Sequence, residues 1–240
     1  IILSGFSNIQ KFFVDVGSLG LARNAGIEKA LGDYIWTADA DDLVSKNCIV
    51  SFVNQAESYK HKEFVIFVEY YVAFSDNYHN VRYFDSDILC VGDFAYQHPY
   101  VSRLFAHKSV FSKFTYHDLR LTSGFAFEDW DINAKLFNEN IEFLVAEDTI
   151  IFYRQRENSL LKLANQISAN IIPHSGLFDV DSFLSHMESF RKRVGNIEEF
   201  MKKRQEFFKE SITNRIFSSS KLIEFIVDAN RLEPEVDLRQ

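Results

Sequence analysis

The chain has 240 residues, enough for one large domain or one domain with an appendage. Apolar content is 47% and charged content 25%, ordinary for a soluble globular protein. The 26 basic and 34 acidic residues leave a net charge of −8, which argues against a nucleic-acid partner held by charge. No apolar run approaches membrane-spanning length and no stretch reads as a signal peptide. Cys48 and Cys90 form no metal-like cluster, so a reducing compartment fits. The 25 Phe and 10 Tyr against 9 Gly and 3 Pro point to a Phe-rich core.

Ile1-Ile2-Leu3 reads as the inside of a strand, with a loop at Ser4-Gly5-Phe6-Ser7-Asn8, and Phe12-Phe13-Val14 as a second strand. Gly17-Ser18-Leu19-Gly20 opens a helix over 21–31, with Ile27, Ala30 and Leu31 on its apolar side and Gly32 at its C-cap. Tyr34-Ile35-Trp36 then forms a short buried strand that ends in Asp39, Asp41 and Asp42. Strand, helix and strand with short links are the grammar of a parallel α/β sheet, whose ligands bind outside the carboxyl ends of the strands.

Ser45 is a candidate N-cap for a helix to about Tyr59, with Ile49, Val53 and Ala56 inward. Residues 64–74 read as a long strand turned by Ser75-Asp76-Asn77, with Val81–Phe84 as hairpin partner. Residues 85–100 lack periodicity and read as loop, and 102–111 as a strand and a short helix. Residues 128–138 predict a helix with Glu128 and Asp129 in its first turn, and 143–153 a strand interrupted at Glu147-Asp148. Helices are expected over 160–172, 182–192, 197–217 and 221–229, before a polar end at 234–240. The basic groups Arg191-Lys192-Arg193 and Lys202-Lys203-Arg204 read as a solvated helix face, with contact to an anionic membrane surface as the other option.

Crowded carboxylates at a strand end repel one another unless a cation joins them, and Mg2+ or Mn2+ prefers such oxygen ligands together with substrate phosphates. Asp clusters also make turns and helix caps, so the pattern alone leaves both readings open. Neighbouring residues favour the first. Gly20-Leu21-Ala22-Arg23-Asn24-Ala25-Gly26, Gly32-Asp33-Tyr34 and Asp39-Ala40-Asp41-Asp42 together resemble family-2 glycosyltransferases of the GT-A fold. Phe127-Glu128-Asp129-Trp130-Asp131 is similar to that family's Glu-Asp motif at a helix start, and Tyr153-Arg154-Gln155-Arg156 to its Tyr-Arg-X-Arg segment. The family's first strand and helix have no counterpart here, so the chain is expected to be N-terminally truncated relative to the family, with Ser4-Gly5 where a base-contacting Asp often stands. The processive synthases' Gln-X-X-Arg-Trp motif is not found either, which points to single-sugar transfer.

The resemblance implies a GT-A-type, Rossmann-like fold: a mixed, mainly parallel sheet flanked by helices over residues 1–162, with a C-terminal helical extension over 163–240. It implies an inverting, metal-dependent hexosyltransferase that moves one sugar from a nucleotide-diphosphate sugar to a saccharide or glycolipid, in surface polysaccharide synthesis. The expected location is the cytoplasm, free or peripheral at the inner face of the membrane. Asp41 would hold Mn2+ or Mg2+ at the diphosphate, and Asp39 would orient the ribose or also reach the metal. Arg23 would contact the nucleotide, Asn24 brace the turn, Asp42 support the acid turn, and Arg154 and Arg156 neutralise the diphosphate. Asp129 would be the base that deprotonates the acceptor, with Glu128 orienting it or contacting the acceptor. Trp130 either floors the acceptor sugar or belongs to the core. His98, His107, His117 and His174 are conceivable third metal ligands, and none is assigned. Two other readings are a sugar-phosphate nucleotidyltransferase and an inactive carbohydrate- or partner-binding module.

Overall fold

The computed structural model describes residues 9–213 apart from 62, 76–78, 97, 102, 157–158 and 168–170. The strand expected at Ile1–Leu3, the helix at 221–229 and the polar end lie outside the described residues. The order is α1 (Leu19–Lys29), β1 (Tyr34–Trp36), β2 (Leu43–Val44), α2 (Cys48–Ser58), β3 (Phe64–Ser75), β4 (His79–Arg82), α3 (Val91–Tyr96), β5 (Phe105–His107), α4 (Lys108–Lys113), α5 (Glu128–Asn138), β6 (Glu142–Gln155), α6 (Leu160–Gln166), α7 (Val180–Val194) and α8 (Ile197–Thr213).

One mixed sheet runs β1-β5-β3-β6-β2, with β4 also paired to β3. The central pair β3–β6 is parallel and the other pairings are antiparallel, so β1, β3 and β6 point the same way. The parallel share is therefore smaller than a mainly parallel sheet would have, because β5 is inserted between β1 and β3. Phe64, Phe67, Phe94, Tyr100 and Phe143 are fully buried in the main core, and the Phe67 ring stacks on Tyr100 at 4.5 Å.

β1 and β2 are separated by only 37–42 in sequence but lie at opposite ends of the strand order. Four strand spacings amount to about 19 Å in a flat sheet. Six linking residues reach little further than that at about 3.3 Å each. The acidic segment therefore crosses the sheet nearly extended, with a turn at Ala40-Asp41, and its Asp42 end meets Arg154 near the carboxyl end of β6.

Several local expectations are corrected. Phe12-Phe13-Val14 forms no strand and is exposed, with Lys29 over the Phe12 ring at 5.0 Å. α1 ends at Ala30 in an extended conformation, two residues before Gly32, and Leu31 is 86% exposed. Ser45 does not cap α2: its hydroxyl accepts from the Ile150 amide at 3.1 Å, tying β2 to β6. Cys48, Phe52 and Ala56 form the buried stripe of α2, and Ile49 is exposed. Residues 85–100 hold α3, too short for its periodicity to show.

The interruption of β6 is a bulge. Val68 pairs with Ala146 and Tyr70 with Ile150, so β6 carries two extra residues, and Asp148 adopts a positive φ of 57°. Buried Glu69 fills the gap, accepting from the Asp148 amide at 2.7 Å and Arg82 Nε at 2.9 Å, while its own amide donates to Thr149 Oγ1 at 3.1 Å.

α7 and α8 rest on the main core through Phe183, Met187, Phe190, Phe200 and Phe207. Arg204 on α8 donates to both carboxylate oxygens of Asp93 on α3, at 2.9 and 2.6 Å, and to the Ile88 carbonyl at 2.9 Å. Arg193 donates to the Leu89 carbonyl at 2.8 Å. Of the six residues in the basic groups, Arg204 is therefore turned inward, and Arg193, though exposed, reaches back to a carbonyl, against the expectation of a solvated face. No helix among the described residues is long and apolar enough to cross a membrane.

The two α1 glycines separate close packing from propensity. A Cβ on Gly20 would overlap the His117 carbonyl oxygen, whereas one on Gly26 meets nothing within 4 Å. Gly26→Ala is expected to stabilise the fold by about 0.5–1 kcal/mol, the usual helical gain, and Gly20→Ala to destabilise it by about 2 kcal/mol or more. Urea denaturation of the two variants checks both signs.

Candidate active site

Arginines hold the acidic segment in place. Arg103, just before β5 and 5% exposed, donates to Asp39 Oδ2 at 2.8 Å and pairs with Asp42. Its guanidinium lies over the Tyr153 ring at 5.0 Å. Its backbone has a positive φ of 93°, and its carbonyl accepts from the Trp36 indole at 2.9 Å. The next carbonyl, of Leu104, accepts from the Thr37 amide at 3.2 Å, so backbone and side chain of 103–104 both grip the acid segment.

Asp42 is 3% exposed and also accepts the Arg154 amide at 3.2 Å. Burial pushes its carboxyl up to about 6, against the pull of Arg103. Asp41 is 37% exposed and pairs with Arg156 at 2.5 Å. The Arg154 guanidinium lies over the Phe74 ring at 5.4 Å.

Ser18 caps α1, its hydroxyl accepting from the Leu21 amide at 3.4 Å. The close approach at Gly20 sets the helix against residues 116–117, and Asn24 fixes it there. The Asn24 amide donates to the Tyr116 carbonyl at 2.8 Å and accepts from its N–H at 3.0 Å. Arg23, one residue earlier, pairs with Asp39 at 3.3 Å and with Glu128, and stands over the Tyr116 ring at 5.4 Å. Burial opposes the charge on Arg23, but Glu128, Tyr116 and Asp39 outweigh it and raise its pKa, so the guanidinium stays charged.

Glu128 and Asp129 open α5 after Phe127, which sits in the left-handed region at φ 62°. Burial and then Asp129 raise the Glu128 pKa, with Arg23 opposing them. Asp129 Oδ1 accepts the Trp130 amide at 2.9 Å, and His98 Nδ1 is 3.8 Å away. Trp130 is half-buried, packs against the main core and donates from Nε1 to the Phe94 carbonyl at 3.1 Å.

One network thus joins Asp39, Asp42 and Glu128 through Arg23 and Arg103, with Asp129 beside Glu128 and the Asp41–Arg156 pair at the exposed rim. Arg103 and Tyr116 escaped sequence reading. Arg103 follows a stretch without periodicity, and the left-handed turn that aims its guanidinium has no glycine or asparagine to mark it. As for a cation, no group of three or more His, Cys, Asp or Glu side chains among the described residues is arranged to hold one. Asp39 has an arginine on each oxygen, a poor fit to a metal ligand. Asp41 fits better, because its arginine partner is itself 55% exposed and such pairs exchange easily. One exposed carboxylate plus substrate phosphates suits Mg2+ or Mn2+.

Residues 8–120 match the family model described as glycosyl transferase family 2. Comparison with curated proteins gives no match. Among solved structures, S. aureus TarS 1–349 in complex with UDP-GlcNAc is similar at 13% identity and a TM-score of 0.49, over 67% of this chain and 47% of that one. The S. aureus TarS 1–349 structure with UDP is similar at 12% identity and a TM-score of 0.44, over 65% and 51%. The S. aureus TarS 1–349 structure alone is similar at 15% identity and a TM-score of 0.45, over 78% and 58%. The similar part of this chain spans about half the length of those structures.

Proposed function

We propose that this protein is an inverting glycosyltransferase that moves one sugar from a nucleotide-diphosphate sugar to a saccharide or glycolipid acceptor. The observation that carries this reading is the Arg23 bridge from Asp39, at the strand ends, to Glu128, beside Asp129. It supports a reading in which the acid cluster faces the diphosphate and the candidate base stands across the same site, the arrangement a single direct displacement requires.

Asp41 is the side chain that would hold Mn2+ or Mg2+, and a bound ion would offset charge on the departing diphosphate. Arg156 leaves Asp41 for a phosphate oxygen, and Arg154 adds charge at the end of β6. Arg23 and Asp39 position the nucleotide. Asp129 takes the acceptor hydroxyl proton while that oxygen bonds to the anomeric carbon and the sugar–diphosphate bond breaks. Glu128 keeps Arg23 in place, and Trp130 offers its face to the acceptor sugar. The acceptor belongs to surface polysaccharide synthesis and is reached in the cytoplasm or at the inner face of the membrane. Exposed Arg191, Lys192, Lys202 and Lys203 support a peripheral contact there.

Thermal unfolding with UDP, GDP and dTDP, each with and without Mn2+, tests the donor site. One nucleotide at a hundred times its Kd is expected to raise Tm by about 5–10 °C, only with metal. Asp41→Ala is expected to abolish that rise, and no rise with any nucleotide would overturn the reading. Asp129→Asn is expected to keep the rise but lower the transfer rate by about 100-fold or more. A transfer rate equal to wild type in that variant would remove Asp129 from the base role.

A further inference from the structure

His98 lies outside every motif used above, yet its Nδ1 stands 3.8 Å from the candidate base Asp129. Its ring stacks on the Trp130 indole, with centroids 5.9 Å apart and planes within 11°. Nε2 lies 3.3 Å from the Asn133 amide nitrogen, and Nδ1 3.8 Å from Asp129 Oδ1. The side chain is 14% exposed, so water offers it few alternative partners.

Asn133 decides which ring nitrogen carries the proton. Its amide nitrogen also lies 3.0 Å from the Tyr100 carbonyl oxygen. A carbonyl only accepts, so the group facing it is the NH2, and the reverse orientation would bring two acceptors together. The same NH2 has its second hydrogen for His98, so Nε2 must be an acceptor. A neutral imidazole that accepts at Nε2 carries its proton on Nδ1, the nitrogen nearest Asp129. The anchor is firm: Tyr100 is fully buried, its hydroxyl donates to the Phe84 carbonyl, and its ring stacks on Phe67.

We propose that His98 is a positioning residue for Asp129: Asn133 holds the imidazole as the neutral Nδ1–H tautomer, and that N–H orients the carboxylate toward the acceptor hydroxyl. The inference rests on Asp129 being the base. Burial lowers the His98 pKa against the pull of Asp129, so the ring stays neutral at neutral pH and does not compete for the transferred proton. Glu128, Arg23, Tyr83 and Tyr116 also act electrostatically with Asp129.

The first test needs no substrate. Nitrogen-15 NMR of the labelled full chain at pH 7, with His98 assigned by its loss in His98→Asn, reads the tautomer directly. The Nδ1-protonated form is expected, and an Nε2-protonated or cationic ring overturns the inference. The second test measures nucleoside diphosphate release from a panel of UDP-, GDP- and dTDP-sugars. His98→Asn places an amide near the position of Nδ1 and is expected to stay within about threefold of wild type. His98→Phe keeps the stack on Trp130 but has no N–H, and is expected to lose about tenfold in kcat with donor KM unchanged. Equal rates in the two variants overturn the positioning role. No turnover by the wild-type chain, or full turnover by Asp129→Asn, would instead overturn the proposed function, and the tautomer would still be decided by NMR.

Discussion

A single buried guanidinium carries the greatest electrostatic burden in this molecule. Arg103 lies between the half-buried Asp39 and the buried Asp42 and is itself almost closed to water, where an unmatched charge is severely penalised. One cation cannot balance the acidic segment alone, and two others meet it from distant parts of the chain, Arg23 from α1 and Arg156 after β6. Each binds a different carboxylate oxygen, so the segment is fixed by its charges where its backbone has little regular structure of its own. The left-handed conformation of Arg103 is the local sacrifice, of the order of 1–3 kcal/mol for a residue with a side chain. It is sustained because the flanking carbonyls are taken by Trp36 and Thr37.

Much of this could be read from the chain because it is written in local signals. The length and β-branched content of 64–75, the carboxylates opening α5 and the turn chemistry of the acidic segment all act over a few residues. What escaped depends on partners far away in sequence. Phe12-Phe13-Val14 has strand composition but finds no neighbouring strand to pair with among the described residues. Ser45 looks like a helix cap and is used instead by an amide 105 residues away. The insertion of β5 between β1 and β3 is a choice of topology, and no residue within β1 announces it. In the candidate site, Asp39, Arg23 and Glu128 were each visible, but the ion pairs that bind them into one network were not.

The C-terminal helices are joined to the rest by the same kind of chemistry. Arg204 meets Asp93 with two hydrogen bonds while its guanidinium lies over Phe84 and Phe200 at 5.5 and 5.7 Å. α3 receives that clamp on one side and offers the Phe94 carbonyl to Trp130 on the other. The wall beside Asp129 therefore stands on a short helix that is itself held from α8. Residues with no part in chemistry define where the indole lies.

The bulge in β6 has a consequence for parity. Side chains alternate along a strand, so an odd insertion exchanges the two faces beyond it and an even one preserves them. The bulge adds two residues, and Ile151 and Tyr153 accordingly stay on the main core while Ile150 and Phe152 keep to the smaller cluster on the other face. Loss of one residue from 147–149 would turn Tyr153 away from Arg103 and bring Arg154 under the acidic segment. Loss of two would leave both where they are. Changes of length in this loop are thus constrained to come in pairs, a rule of counting imposed by the site at the far end of the strand.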